Sequence, residues 1–403
     1  MNIIFLIDSL EGGGAERACL NIASSLCGDH QVWVVPIFAS ENCPGYPFDG
    51  RVRIISLNIP NRHRLNSKIA MYVKELRSIR KLKKLLKPDI CISFLETANI
   101  LNVLTNCGEK NIISVRNHYS TFLEKERYHL KKIKMIIANR RADKIVAVSE
   151  DCRRDLVANF KAPEEKTCTI YNFYRPEPAE NTGFSEQKKR FLSDPSLKIV
   201  SMGHFCPRKA QQHLIRAFAA ASSDCPNVNL YLFGKRETEA YLRRVIAANG
   251  LPNRVFLEPF DPDSFWYLKR SALYVCTSLN EGFSNVLLES FACGLPIVSA
   301  DCHSGPRELL APDTDCSEKT SSIEYAEYGV LIPEFSGKQL IDEPLEPAEV
   351  FLAEAIRKLI NDPCLREEYS RREKEKAGDY APGKILNQWY AIIKEVCPQT
   401  DLF

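Results

Sequence analysis

Short, unbroken apolar runs recur along the chain, each followed by a turn and then by a stretch with apolar residues at helical spacing. The first run, IIFLI at residues 3–7, is followed by the glycine cluster Gly12, Gly13 and Gly14; AERACLNIASSLC then repeats its apolar positions three and four apart. Apolar runs of this length bounded by turn residues read as buried strands, and a 3.6-residue period reads as a helix. The alternation continues through VWVVPIF, RIISL, DICISFL, NIISV and KIVAV. Short strands with helical segments intervening for much of the way imply a parallel, helix-covered sheet.

Residues 175–196 interrupt this rhythm: they are rich in proline, charge and small polar residues and lack a sustained apolar period, so they are expected to form a linker. A second series then begins with IVSMGHF, NLYLFG, VFLEPF, LYVCTS and PIVSA, separated by helical segments such as QQHLIRAFAAA and SNVLLESFACG. The expected division is one α/β domain at 1–174, the linker, a second α/β domain at 197–378, and a final helical segment at 379–403. That last segment presents Ile385, Trp389, Ile392 and Val396 on one face and needs a surface, expected to be the first domain. No repeat of twenty to fifty residues is visible, which excludes a solenoid or propeller.

Length and composition agree with two globular domains: 403 residues, 45% apolar and 26% charged, exceed one ordinary core and exclude a disordered chain. The apolar start meets Asp8 and the glycines before a signal peptide or membrane span could develop, so a cytoplasmic location is expected. Fifteen cysteines, an odd number without metal-type spacing, are expected to be reduced. The net charge of +3 is small, but residues 62–87 hold ten Lys or Arg against one Glu, and 125–141 form a second basic stretch. Such helices fit an anionic membrane surface, for instance the inner face of the cell membrane, or form an ordinary solvated face. No nucleic-acid partner is expected.

The most specific segment is EGFSNVLLES, in which Glu281 precedes a helix starting near Asn285 and Glu289 falls inside it. Glu281 can accept hydrogen bonds from sugar hydroxyls and Glu289 can reach a ribose diol. The N–H groups of Ser284, Asn285, Val286 and Leu287 at the helix start suit a phosphate. Two glutamates at this spacing are common on surface helices; the preceding apolar strand and the following Gly-Leu-Pro and strand distinguish this pair. The Asp-x-Asp pairs at 261–263 and 313–315 read as loop or capping aspartates, with no metal or cofactor required. A dinucleotide fingerprint is absent, which disfavours dehydrogenase chemistry.

EGFSNVLLES, together with GGGAER, the Gly203 to Lys209 spacing in GHFCPRK, LFGKRE, RVFLEPF and ACGLPIVSADCHSGPREL, resembles the signature of glycosyltransferase family 4, in this order and over most of the chain. Through GGAER, FLETANI and SGPRE it is most similar to the branch that assembles lipid-linked oligosaccharides and capsular polysaccharides. The resemblance implies a GT-B fold, two Rossmann-like domains with parallel sheets facing a central cleft, and retaining transfer from a nucleotide sugar, UDP preferred. It also implies roles. Lys209 would meet the donor diphosphate. The family's arginine after Gly203 is replaced by His204, so either Arg208 supplies the guanidinium from a neighbouring position, or the His204 imidazole binds in its place, more weakly and in a pH-dependent way. Gly13 and Gly14 would face the diphosphate or acceptor, and Phe283 joins Ser284, Asn285 and Val286 among the donor contacts. Arg254 and Val255 would hold the nucleotide base, mostly through backbone groups. His118 would contact the transferred sugar, with Arg116 and Asn117 as alternatives in the same loop.

On this reading Glu281 orients the sugar, Lys209 and Arg208 stabilise the departing nucleotide diphosphate, and Glu289 anchors the ribose, with His118 completing the catalytic set. The acceptor would be a glycan or a polyprenyl-diphosphate-linked precursor. Two rivals keep the fold: a sugar-nucleotide epimerase, and a non-catalytic sugar-nucleotide-binding subunit.

Overall fold

The run at residues 3–7 becomes an inner strand of a seven-stranded parallel sheet. In the computed structural model β1 (Asn2–Ile7) pairs with β2 (Gln31–Pro36) on one side and β4 (Ile90–Phe94) on the other, so that Phe5 faces Val34 and Ile92. With β3 (Arg53–Ile54), β5 (Lys110–Val115), β6 (Lys144–Ala147) and β7 (Thr167–Thr169), the strand order is β3-β2-β1-β4-β5-β6-β7. The connections are α1 (Gly14–Leu26), α2 (Lys68–Leu86), α3 (Glu96–Leu104), α4 (Tyr119–Phe122), α5 (Tyr128–Arg141) and α6 (Glu150–Phe160). The structure describes residues 1–38, 46–60, 68–122, 128–175, 185–235 and 237–398.

The second sheet has the order β10-β9-β8-β11-β12-β14-β13. Its strands are β8 (Leu197–Met202), β9 (Val228–Gly234), β10 (Val255–Pro259), β11 (Leu273–Cys276), β12 (Ile297–Ala300), β13 (Glu324–Ala326) and β14 (Gly329–Ile332), all parallel except β13. Around them lie α7 (Glu186–Ser193), α8 (Gln211–Ala221), α9 (Glu239–Ala248), α10 (Ser264–Leu268), α11 (Asn285–Cys293), α12 (Pro306–Leu310), α13 (Pro347–Asn361) and α14 (Pro363–Ala377). Each sheet reverses its winding beside its first strand, and in such sheets ligands bind outside the carboxyl ends of the strands at that point.

The chain divides into two compact units, Met1–Phe173 with Pro382–Phe403, and Tyr174–Ala381. The last helix, α15 (Pro382–Val396), belongs to the first unit, where Trp389 stacks on Phe94 and Ile385, Ile392 and Ile393 join the core around β1. Val396 is only partly buried. The expected linker differs from what is observed: Ser185 caps α7, whose Phe191 packs edge-on to Tyr231 and Tyr267 in the second unit. One buried aromatic among polar residues gives no periodic signal, yet suffices to seat a short helix. Residues 176–184 of that stretch lie outside the described residues.

All cysteines among the described residues are free thiols. The basic helix α2 is not wholly a solvated face, because Lys83 turns inward, pairs with Glu109 at 2.6 Å and donates to Asn102. Among the described residues no helix is long and apolar enough to cross a membrane.

Candidate active site

In the second unit the candidate residues converge where β8, β9 and β11 end. Gly203 N–H donates to Phe233 O, which lays the turn after β8 directly over Gly234. A Cβ at Gly234 would stand 2.1 Å from Gly203 O, so only glycine permits the approach. The turn continues through Pro207–Lys209, and the Lys209 side chain folds back over Gly203, its Cε 3.2 Å from where a Cβ would be.

The loop after β11 is stitched to this turn. Leu279 N–H donates to Arg208 O and Thr277 Oγ1 donates to Lys209 O, both at 2.9 Å. From the other side, Glu281 N–H donates to His303 O at 3.1 Å and Ser304 Oγ donates to Gly282 O at 2.5 Å. Glu281 is thereby held between two turns, with Lys209 Nζ 2.5 Å from its Oε1 and an Arg208 nitrogen 4.0 Å from its Oε2. Burial raises the Glu281 pKa, but Lys209, Arg208 and the hydrogen bonds from Lys209 and Ser278 outweigh it, holding the carboxyl below its ordinary range.

Ser284 caps α11 by accepting from Leu287 N–H, so one of the four amides expected for a phosphate is engaged in the cap. Glu289 is buried inside α11, and Ser264 Oγ donates to its Oε2 at 2.6 Å. Ser264, unremarked in the sequence, is placed by Asp263, whose carboxylate forms a buried 2.7 Å pair with Lys188 of α7. The fixed Asp-x-Asp motifs serve local structure: Asp261 accepts from Tyr267 and Asp263 N–H, and Asp315 accepts from Ser317. Of the two candidates for the role of the family's arginine, Arg208 stands beside Glu281, while the half-exposed His204 ring lies 3.7 Å from Glu237.

Arg254 and Val255 are not part of this cluster. Val255 pairs with Leu230 at the amino end of β10, whereas the strand ends at Pro259, level with Gly234. Four residues of strand separate the two ends, about 13 Å. The Arg254 guanidinium donates instead to the carbonyls of Ser222, Cys225 and Val228. The RVFLEPF motif placed the strand correctly but pointed to its wrong end.

In the first unit the glycine loop also differs from expectation. The N–H groups of Gly12 and Gly13 both donate to Glu16 Oε2, and Ser9 donates to Oε1, so the protein's own carboxylate fills the nest. Gly14 is the first residue of α1. After β5, Arg116 turns to Asn172, Asn117 donates to Glu96 at 3.2 Å, and His118 is buried with Nδ1 3.1 Å from Thr121 Oγ1. Asp151 and Asp155 of α6 flank the His118 ring, each 3.9 Å from a ring nitrogen. Burial, opposed by Asn117 and Lys131, raises the Glu96 pKa. Glu96 lies in FLETANI but was given no role there; Asp151 reads like any acid in the first turn of a helix, and Asp155, further along α6, like any acid on a helix face.

Two Rossmann-like units with this cluster at the switch point of the second sheet define a GT-B glycosyltransferase. Residues 12–177 match the model of Glycosyltransferase Family 4 and residues 184–328 that of Glycosyl transferases group 1. An uncharacterized glycosyltransferase of Methanocaldococcus jannaschii is 30% identical over 80% of this chain and 83% of its own. The chain belongs to this glycosyltransferase family. It is also 23% identical, over 98% of this chain and 99% of the relative, to the Campylobacter jejuni GalNAc-alpha-(1->4)-GalNAc-alpha-(1->3)-diNAcBac-PP-undecaprenol alpha-1,4-N-acetyl-D-galactosaminyltransferase. Anabaena HepE, whose structure was determined with UDP-glucose, superposes with a TM-score of 0.72 at 18% identity, covering 98% of this chain and all of that one.

Proposed function

We propose that the enzyme transfers a hexose or N-acetylhexosamine from a UDP-sugar to a lipid-linked oligosaccharide or surface-polysaccharide precursor, with retention of the anomeric configuration. The observation that carries this reading is the buried Glu281 held between Lys209 and Arg208 at the carboxyl edge of the second sheet, with Glu289 on the following helix. Glu281 accepts from the sugar hydroxyls. Lys209 and Arg208 face the diphosphate as it departs, where fixed cations stabilise developing charge without reorganising. Glu289, oriented by Ser264, anchors the ribose, and the base lies towards the end of β10. These cations and the first turn of α11 balance the phosphate charge, so the reading calls for no divalent metal.

The name of the Campylobacter relative supports a polyprenyl-diphosphate-linked acceptor, and the surface of the first unit is compatible with one. Leu130, Ile133 and Ile137 form an exposed stripe on α5, among Lys131, Lys132 and Lys134. Lys134 lies over the Tyr72 ring of α2, which joins this stripe to the second basic helix. An apolar stripe framed by cations suits peripheral contact with anionic lipid.

A thermal-shift screen against UDP, GDP, ADP and TDP tests the donor assignment. UDP should raise the melting temperature, and Glu289→Ala should abolish the rise; a larger shift with another nucleotide would overturn the choice of UDP.

A further inference from the structure

The first unit contains a buried cation with no anion beside it among the described residues. Arg116 is 7% exposed, directly after β5 at the carboxyl edge of the sheet. One of its amino groups donates to the neutral amide oxygen of Asn172, and the guanidinium lies 5.6 Å from the centre of the Phe94 ring. Among the described residues no carboxylate pairs with it, and the groups acting on its charge are the Cys152 and Cys19 thiols. None of its nitrogens is among the buried ones sealed without a partner, so the rest of the N–H fork reaches solvent-accessible space.

Burial brings the Arg116 pKa down to about 10, which still leaves it charged at neutral pH. A guanidinium in this position is costly unless an anion completes it, and its fork matches two oxygens of a phosphate or carboxylate. The nearby glycine loop cannot be that anion's main receptor as it stands, because Glu16 already occupies the Gly12 and Gly13 amides. The charges of Glu16 and Arg116 both act on the buried Cys19 thiol of α1, so the filled nest and the open cation are neighbours in the first unit.

We infer that Arg116 anchors an oxyanion subsite in the first unit, taking a phosphate or diphosphate group of one of the two substrates. The inference rests on the transferase reading for the nature of those substrates, but not for the existence of the subsite. An arginine serving only as a core latch between β5 and Asn172 is the rival account.

The two make opposite predictions for the ligand-free protein. Replacing an unpaired buried charge with an apolar residue of similar length relieves its desolvation, so Arg116→Met should melt at the same temperature or higher; loss of a latch should lower it. Calorimetric titration then uses UDP, and inorganic pyrophosphate with UDP saturating. Arg116→Met should weaken one of these ligands about tenfold or more, with Arg116→Lys intermediate. Loss confined to pyrophosphate places an acceptor phosphate on Arg116; loss of UDP places the donor's there. Equal affinities of wild type and Arg116→Met for both ligands overturn the inference while leaving the transferase reading intact, and so does a binding loss accompanied by a lowered melting temperature. Wild type that binds neither ligand overturns both.

Discussion

Lys209 Nζ stands 2.5 Å from Glu281 Oε1, so the cation assigned to the leaving group and the carboxylate assigned to the sugar hold each other in place before any substrate arrives. The pair is set by backbone: the loop carrying Glu281 is hydrogen-bonded to the carbonyls of Arg208 and Lys209. Their contributions to turnover should therefore be coupled. Lys209→Met is expected to lower kcat by about 10²- to 10³-fold, the scale on which fixed electrostatic groups act. Glu281→Gln added to it should cost far less than it does alone, since a neutral partner no longer leaves a buried charge unpaired. Additive losses in a double-mutant cycle would show that the two act separately.

Ser264 should matter for donor binding more than for chemistry. Removing its hydroxyl leaves Glu289 Oε2 without a charge-assisted bond made inside the protein, a loss of about 1.5–3 kcal/mol. Ser264→Ala should raise the donor KM about tenfold or more at nearly unchanged kcat, and Ser264→Thr should restore most of it. A fall in kcat at constant KM would move Ser264 out of the ribose end of the site.

Glu373 makes stability depend on pH. It is fully buried in α14, neither carboxyl oxygen has a hydrogen-bond partner among the described residues, and burial pushes its pKa well above the ordinary 4.5. The folded state therefore holds this proton more tightly than the unfolded chain does. Stability from the protonated group is complete below about pH 4.5 and is lost as the pH rises from there through the folded-state pKa. Glu373→Gln should melt close to wild type at pH 4 and progressively above it towards pH 8. Parallel melting curves across that range would mean that Glu373 ionises freely in the folded protein.

The α5 stripe predicts peripheral lipid binding. Wild type should sediment with vesicles containing phosphatidylglycerol and less with neutral ones, the difference shrinking as salt screens the lysines. Leu130→Ser with Ile133→Ser should weaken sedimentation without changing the melting temperature, because both side chains are exposed. Equal sedimentation of wild type and variant would remove the stripe from the contact.

Much of the fold was legible because it rests on local pattern. Continuous apolar runs marked β1, β2, β4, β5 and β6 and the strands β8 to β12, and the 3.6-residue period of α15 exposed its need for a partner surface. The three-residue strands β7 and β13 carried too few residues to show a period, and α7 showed none around Phe191. In the site, EGFSNVLLES and GHFCPRK were legible as motifs, since residue type and spacing already restrict what a loop and helix start can hold.

The sequence by itself determined the two-unit α/β class, the family signature and the identity of Glu281, Glu289, Lys209 and Arg208 as the charged groups to examine. Only the tertiary structure decided which of these charges meet. Pairing depends on strand order and on which end of a strand a residue occupies, and neither is written in local spacing. Arg254 could thus match a motif and still lie at the far end of β10, binding carbonyls of its own fold. Glu16 could fill a nest that glycines alone leave open, and Arg116 could be left without a counter-charge among the described residues, because both outcomes are set by segments brought together from distant parts of the chain or by a side chain's turn back onto its own loop.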